Sequence, residues 1–159
     1  MNLVTRPMRD DEADAVAGMV RAIAEHVGSA TVPKLDAERL RAAGDLIDTV
    51  VAEEGGRLLG ACLGLMTYST WRGARGLYVA DLFVSPDARG RNVGMALLRC
   101  SARRFAKRGA SFIKLEVDCE NQGAERFYAR LGFAKKAEDR LHVMEQDKFA
   151  EFVSSGGET

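Results

Sequence analysis

The sequence is poor in the features that mark several classes of protein. It has three cysteines, Cys62, Cys100 and Cys119, and this odd, widely spaced set suggests neither a disulfide framework nor a metal site. Its apolar runs are too short to cross a bilayer. The N-terminal segment turns acidic where a signal peptide would need its apolar stretch. We therefore expect a cytoplasmic protein that uses no metal.

An excess of charge of one sign is also missing. Lys and Arg number 23, Asp and Glu number 23, and the formal net charge is zero. A nucleic-acid-binding protein usually carries a clear basic excess, so such a partner is disfavoured. The length of 159 residues and a hydrophobic content of 47% fit one globular domain. We predict a single domain over residues 1–153 and a disordered polar tail over 154–159.

Hydrophobic periodicity and turn residues predict the element order β-α-α-β-β-β-α-β-α-β. The later elements matter most for function. They are a strand over Leu77–Val84, a helix over Gly94–Lys107, a strand over Phe112–Val117, a short helix over Ala124–Leu131 and a last strand over Leu141–Met144. The crossover through the helix makes the first two of these strands parallel. The rest of the sheet should be mostly antiparallel.

The turn between the strand Leu77–Val84 and the next helix has the features of an anion site. The first amides of a helix lack intrahelical partners and carry partial positive charge. Gly90 and Gly94 let the backbone approach a ligand, and Arg89 and Arg91 add positive charge. The glycine spacing fits neither the P-loop nor the dinucleotide pattern. A phosphate or a pyrophosphate is the expected ligand, and an ordinary turn with surface arginines is the alternative.

This segment resembles the GNAT superfamily of N-acetyltransferases, whose signature is [QR]xxGx[GA] after a strand ending in a V-x-P-like turn. Arg89 and Gly94 match, whereas Asn92 replaces the first motif glycine. Because asparagine tolerates a left-handed backbone better than most residues, we expect the loop to keep its conformation. The resemblance implies an α/β (α+β) fold. Its mixed, mostly antiparallel sheet has one splayed parallel strand pair and is flanked by helices. It also implies acetyl-CoA as cosubstrate, and homodimers are common in the family.

The resemblance also assigns coenzyme-binding residues. The pantetheine arm would pair with the backbone of Leu82, Phe83 and Val84, as an added strand does. The pyrophosphate would bind the turn and the helix start, which comprise Arg89, Gly90, Arg91, Asn92, Val93, Gly94 and Met95.

A second segment, Leu115–Phe133, resembles the family pattern N-x-x-A-x-x-[FL]-Y-x-x-x-G-F. Asn121 and Ala124 would belong to the coenzyme site, with Asn121 bonding either the pantetheine arm or the helix start. Tyr128 is the candidate general acid, because a phenol beside the sulfur can protonate the leaving thiolate. Its alternative role is that of a half-buried core aromatic.

The segment Thr67–Val84 resembles the diamine and polyamine N-acetyltransferases. Tyr68, Trp71 and Asp81 fall in the matching pattern and are candidate acceptor-binding residues. The aromatic loop from Tyr68 to Trp71 favours a closed pocket. Ala80 stands where that group carries a glutamate, which leaves polyamine specificity open.

The acceptor amine must lose a proton before it attacks, because a free alkylamine has a pKa well above 7. Candidate bases are Glu116, Asp81, Glu25 and His26. Glu116 is equally well read as a solvated strand residue, and His26 as a surface histidine. The arginines and lysine late in the helix, Arg99 to Arg108, either contact the coenzyme's adenosine phosphates or simply meet solvent.

The leading interpretation is an enzyme that moves an acetyl group from acetyl-CoA to a primary amine of a small molecule, such as a polyamine, a diamine or an amino-acid-like compound. The first alternative is acetylation of a protein or peptide amine. The second is a non-catalytic coenzyme A-binding module.

Overall fold

A computed structural model describes residues 2–155. The strands are β1 (Val4–Pro7), β2 (Asp48–Glu54), β3 (Arg57–Ser69), β4 (Ala74–Val84) and β5 (Ala110–Leu115). The helices are α1 (Ala13–His26), α2 (Ala37–Ala43), α3 (Val93–Ala106), α4 (Gln122–Arg130) and α5 (Gln146–Ser155). The chain divides into two compact units, with the boundary after Glu125. The single domain over 1–153 therefore stays a prediction.

The sheet of the first unit has five strands in the order β1-β2-β3-β4-β5. Successive strands pair antiparallel up to β4, and β4 pairs with β5 in parallel. Helix α3 connects these two strands, and a crossover helix is what a parallel pair requires. The predicted α/β (α+β) class with one parallel pair is confirmed.

Helices pack on both faces of the sheet because β3 alternates its side chains. Ala61 and Leu63 join a buried cluster with Val16 of α1 and Leu40 of α2. Gly64 faces the other side, where a Cβ would lie 2.6 Å from the Leu77 side chain and 3.4 Å from Phe105 of α3. The absence of a side chain at Gly64 therefore lets α3 pack close to the sheet.

A buried carboxylate joins the start of the chain to this sheet. Glu12, only 7% exposed, accepts hydrogen bonds from Arg6 of β1 at 2.6 and 2.9 Å. Arg6 also pairs with Glu53 of β2. The hydrogen bonds from Arg6 lower the pKa of Glu12 from 4.5 to about 2. The ion pair therefore fixes β1 and the turn before α1 against β2.

Three predictions about elements were wrong. Residues 141–144 form no strand; they are exposed and α5 follows, because alternating apolar side chains make a strand only where a partner strand pairs with them. Helix α5 includes residues 154 and 155 of the predicted tail, and residues 156–159 lie outside the described chain. Glu116 and Val117 lie beyond β5, which ends at Leu115.

Within residues 2–155 no helix combines the length and the apolar character needed to cross a bilayer.

Candidate active site

The centre of β4 contains a β-bulge at Ala80. Asp81 pairs with Leu63 and Val79 pairs with Gly64, so Ala80 has no partner on β3. Tyr78 pairs with Leu65. Since Leu63 and Leu65 share one face of β3, the bulge brings Tyr78 and Asp81 to the same face, although residues three apart in a regular strand lie on opposite faces.

The parallel strands separate at the same place. The last pair between β4 and β5 joins Val79 to Leu115, and the rest of β4 pairs with β3 alone. The backbone of Leu82, Phe83 and Val84 therefore has one edge that β5 does not cover. An uncovered strand edge can accept an extended ligand through main-chain hydrogen bonds. This is the edge on which the sequence predicted the pantetheine arm.

Three ionisable side chains lie near one another beside this separation. The Tyr78 hydroxyl donates a hydrogen bond to Oε1 of Glu116 at 3.1 Å. Burial raises the pKa of Tyr78, and the negative charges of Glu116 and Asp81 raise it further. Burial also raises the pKa of the Asp81 carboxyl. Tyr78 therefore stays a hydrogen-bond donor at neutral pH, and Asp81 is a stronger base than a solvated aspartate.

The two candidate carboxylates differ in their surroundings. Asp81 is half-buried and belongs to β4, whereas Glu116 is exposed and follows the end of β5. The structure thus places both predicted bases, Asp81 and Glu116, near Tyr78, which the sequence analysis did not select as a site residue. The signal was available, because Tyr78 lies in the segment that resembles the polyamine acetyltransferases.

The turn before α3 has the backbone expected of an anion-binding loop. Gly90 has φ +74° and Asn92 has φ 61° and ψ 16°, both in the left-handed region. Asn92 is the one residue other than glycine with positive φ in the described chain. The expectation that asparagine replaces the motif glycine without loss of the loop backbone is confirmed.

The helix start behind this turn presents backbone donors. Helix α3 begins at Val93, and its first hydrogen bond runs from the amide of Ala96 to the carbonyl of Asn92 at 3.0 Å. The amides of Val93, Gly94 and Met95 precede that bond and have no acceptor within the helix. Space is open around the Cα of Gly90. These features fit a pyrophosphate group.

The two arginines of the turn are held by different partners. Arg91 donates to both carboxylate oxygens of Glu54 at 2.8 Å, and Arg89 donates through Nε to the carbonyl of Val84 at 3.3 Å. An ion pair at 2.6 Å between Arg57 and Asp87 also holds the turn to β3. Glu54 therefore neutralises part of the positive charge that the sequence predicted would bind an anionic ligand.

Asn121 caps a helix. Its side-chain oxygen accepts a hydrogen bond from the amide of Ala124 at 3.1 Å, as an N-cap residue does. The sequence left two partners open for Asn121, the pantetheine arm and the helix start. The structure shows the hydrogen bond to the helix start.

Tyr128 belongs to the second unit and packs in an aromatic cluster. Its ring lies edge-on to Phe127 at 5.1 Å and to Phe133 at 5.3 Å between centroids. The ring has the packing environment of a structural aromatic, and its catalytic role stays a prediction.

The remaining acceptor candidates are exposed. Trp71 is 100% exposed and Tyr68 is 61% exposed at the tip of the β3–β4 hairpin, so their burial does not support the closed pocket that this loop favours in the sequence. The hairpin projects both rings away from the sheet core. Glu25 and His26 are exposed in the last turn of α1. In the part of the chain that the structure describes, no group of three or more His, Cys, Asp or Glu side chains could hold a metal ion.

Comparison with known proteins gives the family. The acetyltransferase (GNAT) family model matches residues 20–133, which is more than half of the chain. The chain belongs to the GNAT family. It is therefore an acyl-CoA N-acetyltransferase, and the family uses acetyl-CoA as cosubstrate.

Individual relatives agree with this assignment. The thialysine N-epsilon-acetyltransferase of Sus scrofa is 28% identical over 143 residues, which cover 82% of this chain and 84% of the relative. An uncharacterized N-acetyltransferase of Methanocaldococcus jannaschii is 45% identical over 58 residues; the match spans 36% of this chain and about a quarter, 26%, of that relative. An integron cassette protein of V. cholerae has the same fold, with a TM-score of 0.77, 16% identity and coverage of 96% and 98% of the two chains.

Proposed function

We propose that this GNAT acetyltransferase acetylates the primary amine of a small cationic molecule, such as a diamine, a polyamine or a lysine-like amino acid. The observation that carries the proposal is the group formed by Tyr78, Asp81 and Glu116 beside the point where β4 and β5 separate. Two carboxylates attract an ammonium group and can take its proton. The similarity to thialysine N-epsilon-acetyltransferase over most of both chains supports the same acceptor class.

In the proposed reaction the neutral amine attacks the thioester carbonyl of acetyl-CoA directly. The N–C bond forms, the C–S bond breaks, and coenzyme A leaves as a thiolate. Asp81 or Glu116 accepts the proton of the ammonium group, directly or through water. Tyr128 gives a proton to the thiolate and recovers, through water, the proton that the attacking nitrogen loses as the amide forms; this role rests on the sequence pattern.

The proposed coenzyme site consists of the elements that the resemblance predicts. The uncovered edge at Leu82, Phe83 and Val84 would bind the pantetheine arm. The amides from Gly90 to Met95 would bind the pyrophosphate, supported by the left-handed backbone of Gly90 and Asn92. Arg89, Ala124 and Asn121 remain proposed members of this site, as do a homodimeric assembly and a cytoplasmic location.

Acetylation of a peptide amine is the second candidate function. The hairpin tip with Tyr68 and Trp71 is open to solvent, so the feature that favoured a closed small-molecule pocket is absent. An open approach suits a longer acceptor.

A turnover assay with an acceptor panel tests the proposal. The panel contains thialysine, a diamine, spermidine and peptides with a free α-amine or a lysine, each with acetyl-CoA. We expect the highest kcat/KM among the small cationic amines. Acetylation of peptides alone would contradict the small-amine proposal, and the catalytic assignment would still hold.

A further inference from the structure

A second group of basic side chains lies along the side of α3 that faces β1, beyond the turn before α3. A groove of about 470 Å³ lies along this side, with Thr5 of β1 on its opposite wall. Arg99, Arg103 and Lys107 line it at intervals of four residues, the spacing that aligns side chains on one face of a helix. Cys100 lies among them and is half-buried.

The positive charge of the groove is not compensated. Arg104 also borders the groove, but its guanidinium is bound to Asp48 at 2.6 and 2.9 Å. Arg99, Arg103 and Lys107 have no side-chain partner among residues 2–155, and no carboxylate lines the groove. Like charges at this spacing destabilise an isolated helix. In a chain with equal numbers of acidic and basic residues, such a concentration of unpaired cations is conspicuous.

The helix dipole explains only part of this arrangement. Cations are favoured near the C-terminus of a helix, and the effect is confined to its last turn. Lys107 and Arg103 lie there, but Arg99 lies in the middle of the 14-residue helix. Arg99 therefore lies beyond the reach of the helix dipole and has no ion-pair partner among residues 2–155.

We propose that this groove binds a multiply charged phosphorylated small molecule. Guanidinium groups bind phosphate through paired donors, and an ammonium group adds a point charge. A volume of about 470 Å³ is in the usual range of small-ligand sites. The groove begins at Ala96, directly after the turn that fits the coenzyme pyrophosphate, and extends along α3 to Lys107. At about 1.5 Å per residue, Arg103 lies about 13 Å along the axis from Gly94, so the cations at the far end of the groove are distinct from that turn.

Cys100 provides a reporter for this site. Cys62 is completely buried and burial raises its pKa to about 12, so it does not react in the folded protein. Cys119 is exposed and would react, so the experiment replaces it by serine. In the Cys119→Ser protein, the rate of maleimide labelling therefore follows access to Cys100. The probe is inorganic pyrophosphate, added with saturating acetyl-CoA so that the coenzyme site is filled.

We expect pyrophosphate to slow labelling at least about fivefold, with saturation, and potassium chloride of equal ionic strength to have little effect. Arg103→Gln with Lys107→Gln should abolish the protection. The control variant, Lys34→Gln with Lys136→Gln, loses the same amount of positive charge elsewhere on the protein. Pyrophosphate should still protect Cys100 in this variant. Labelling that is unaffected by pyrophosphate, or slowed equally by potassium chloride, would overturn the proposal.

A third arm separates the two sources of phosphate. Without pyrophosphate, acetyl-CoA and its 3′-dephospho form are compared. If acetyl-CoA alone protects Cys100 and the dephospho form does not, the groove holds the coenzyme's own 3′-phosphate, and the proposed separate site is wrong. None of these labelling rates depends on turnover, so failure of this proposal can be distinguished from failure of the proposed acceptor.

Discussion

The Tyr78 hydroxyl donates a hydrogen bond to Glu116 Oε1 at 3.1 Å, and this bond spans the place where β4 and β5 stop pairing. If Glu116 is the base, Glu116→Gln should lower kcat/KM for the amine by about 10²-fold. Tyr78→Phe should lower it about fivefold, the effect of losing one hydrogen bond to an aligned group. Initial rates over a range of amine concentrations measure both effects.

The double variant makes this test specific. If Tyr78 acts by holding Glu116, Tyr78→Phe should add little to the loss already caused by Glu116→Gln. Glu120→Gln removes a nearby exposed carboxylate and serves as the control. If Glu116→Gln turns over as fast as the wild type, Glu116 is not the base, and Asp81 or water must accept the proton.

The left-handed backbone at Asn92 predicts a difference between two replacements. Asn92→Gly should keep the loop and the rise in melting temperature that acetyl-CoA gives to the native state. Asn92→Val should reduce that rise, because a β-branched side chain in the left-handed region loses roughly 1–2 kcal/mol of stability. Thermal unfolding with and without saturating acetyl-CoA measures the shift. Equal shifts in both variants would show that the loop backbone does not bind the coenzyme.

Tyr128→Phe tests the proposed general acid. The variant keeps the ring contacts with Phe127 and Phe133 and removes only the hydroxyl, so folding should change little. We expect kcat to fall by about 10²-fold and the thermal shift with acetyl-CoA to persist. A stable variant with the parent's kcat would make Tyr128 a packing residue. A large loss of melting temperature would instead indicate a structural hydroxyl.

Ala80→Glu restores the carboxylate of the polyamine acetyltransferases. Ala80 is exposed on the bulge next to Asp81, so a glutamate fits without displacing the core. The added charge should attract polycations, and the ratio of kcat/KM for spermidine to that for a monoamine should rise by about tenfold, or roughly 1.4 kcal/mol. Ala80→Gln is the control of equal size. A rise with glutamine as well would exclude an electrostatic cause.

The pKa of Glu12 predicts how stability depends on pH. Because hydrogen bonds from Arg6 lower that pKa from 4.5 to about 2, the ion pair stabilises the native state fully above pH 4.5. Its contribution falls as the pH decreases from 4.5 towards 2. Glu12→Gln should lower the free energy of unfolding at pH 7 by about 2 kcal/mol and flatten this acidic slope. Urea unfolding between pH 3 and 7 tests this, with the exposed Glu38→Gln as control.

Local sequence was sufficient for much of the fold and for the phosphate turn. The periodicity of Leu97, Leu98 and Phe105 predicted α3, and the helix between two strands predicted the parallel pair. Gly90 and Asn92 can adopt left-handed backbone because of their own chemistry, so the turn could be predicted residue by residue. For α5, the spacing of Phe149, Phe152 and Val153 carried a helical signal that the apolar run at 141–144 obscured.

The sequence by itself determined the elements from β1 to α4 and their order, because propensity, capping and turn chemistry act over a few neighbouring residues. Only the tertiary structure decided which side chains meet. The bulge at Ala80 depends on the pairing of β4 with Leu63 and Gly64, and without it Tyr78 and Asp81 would lie on opposite faces. The end of β5 at Leu115 likewise places Glu116 within reach of the Tyr78 hydroxyl. Strand register depends on contacts between distant residues, and periodicity along one strand does not contain it.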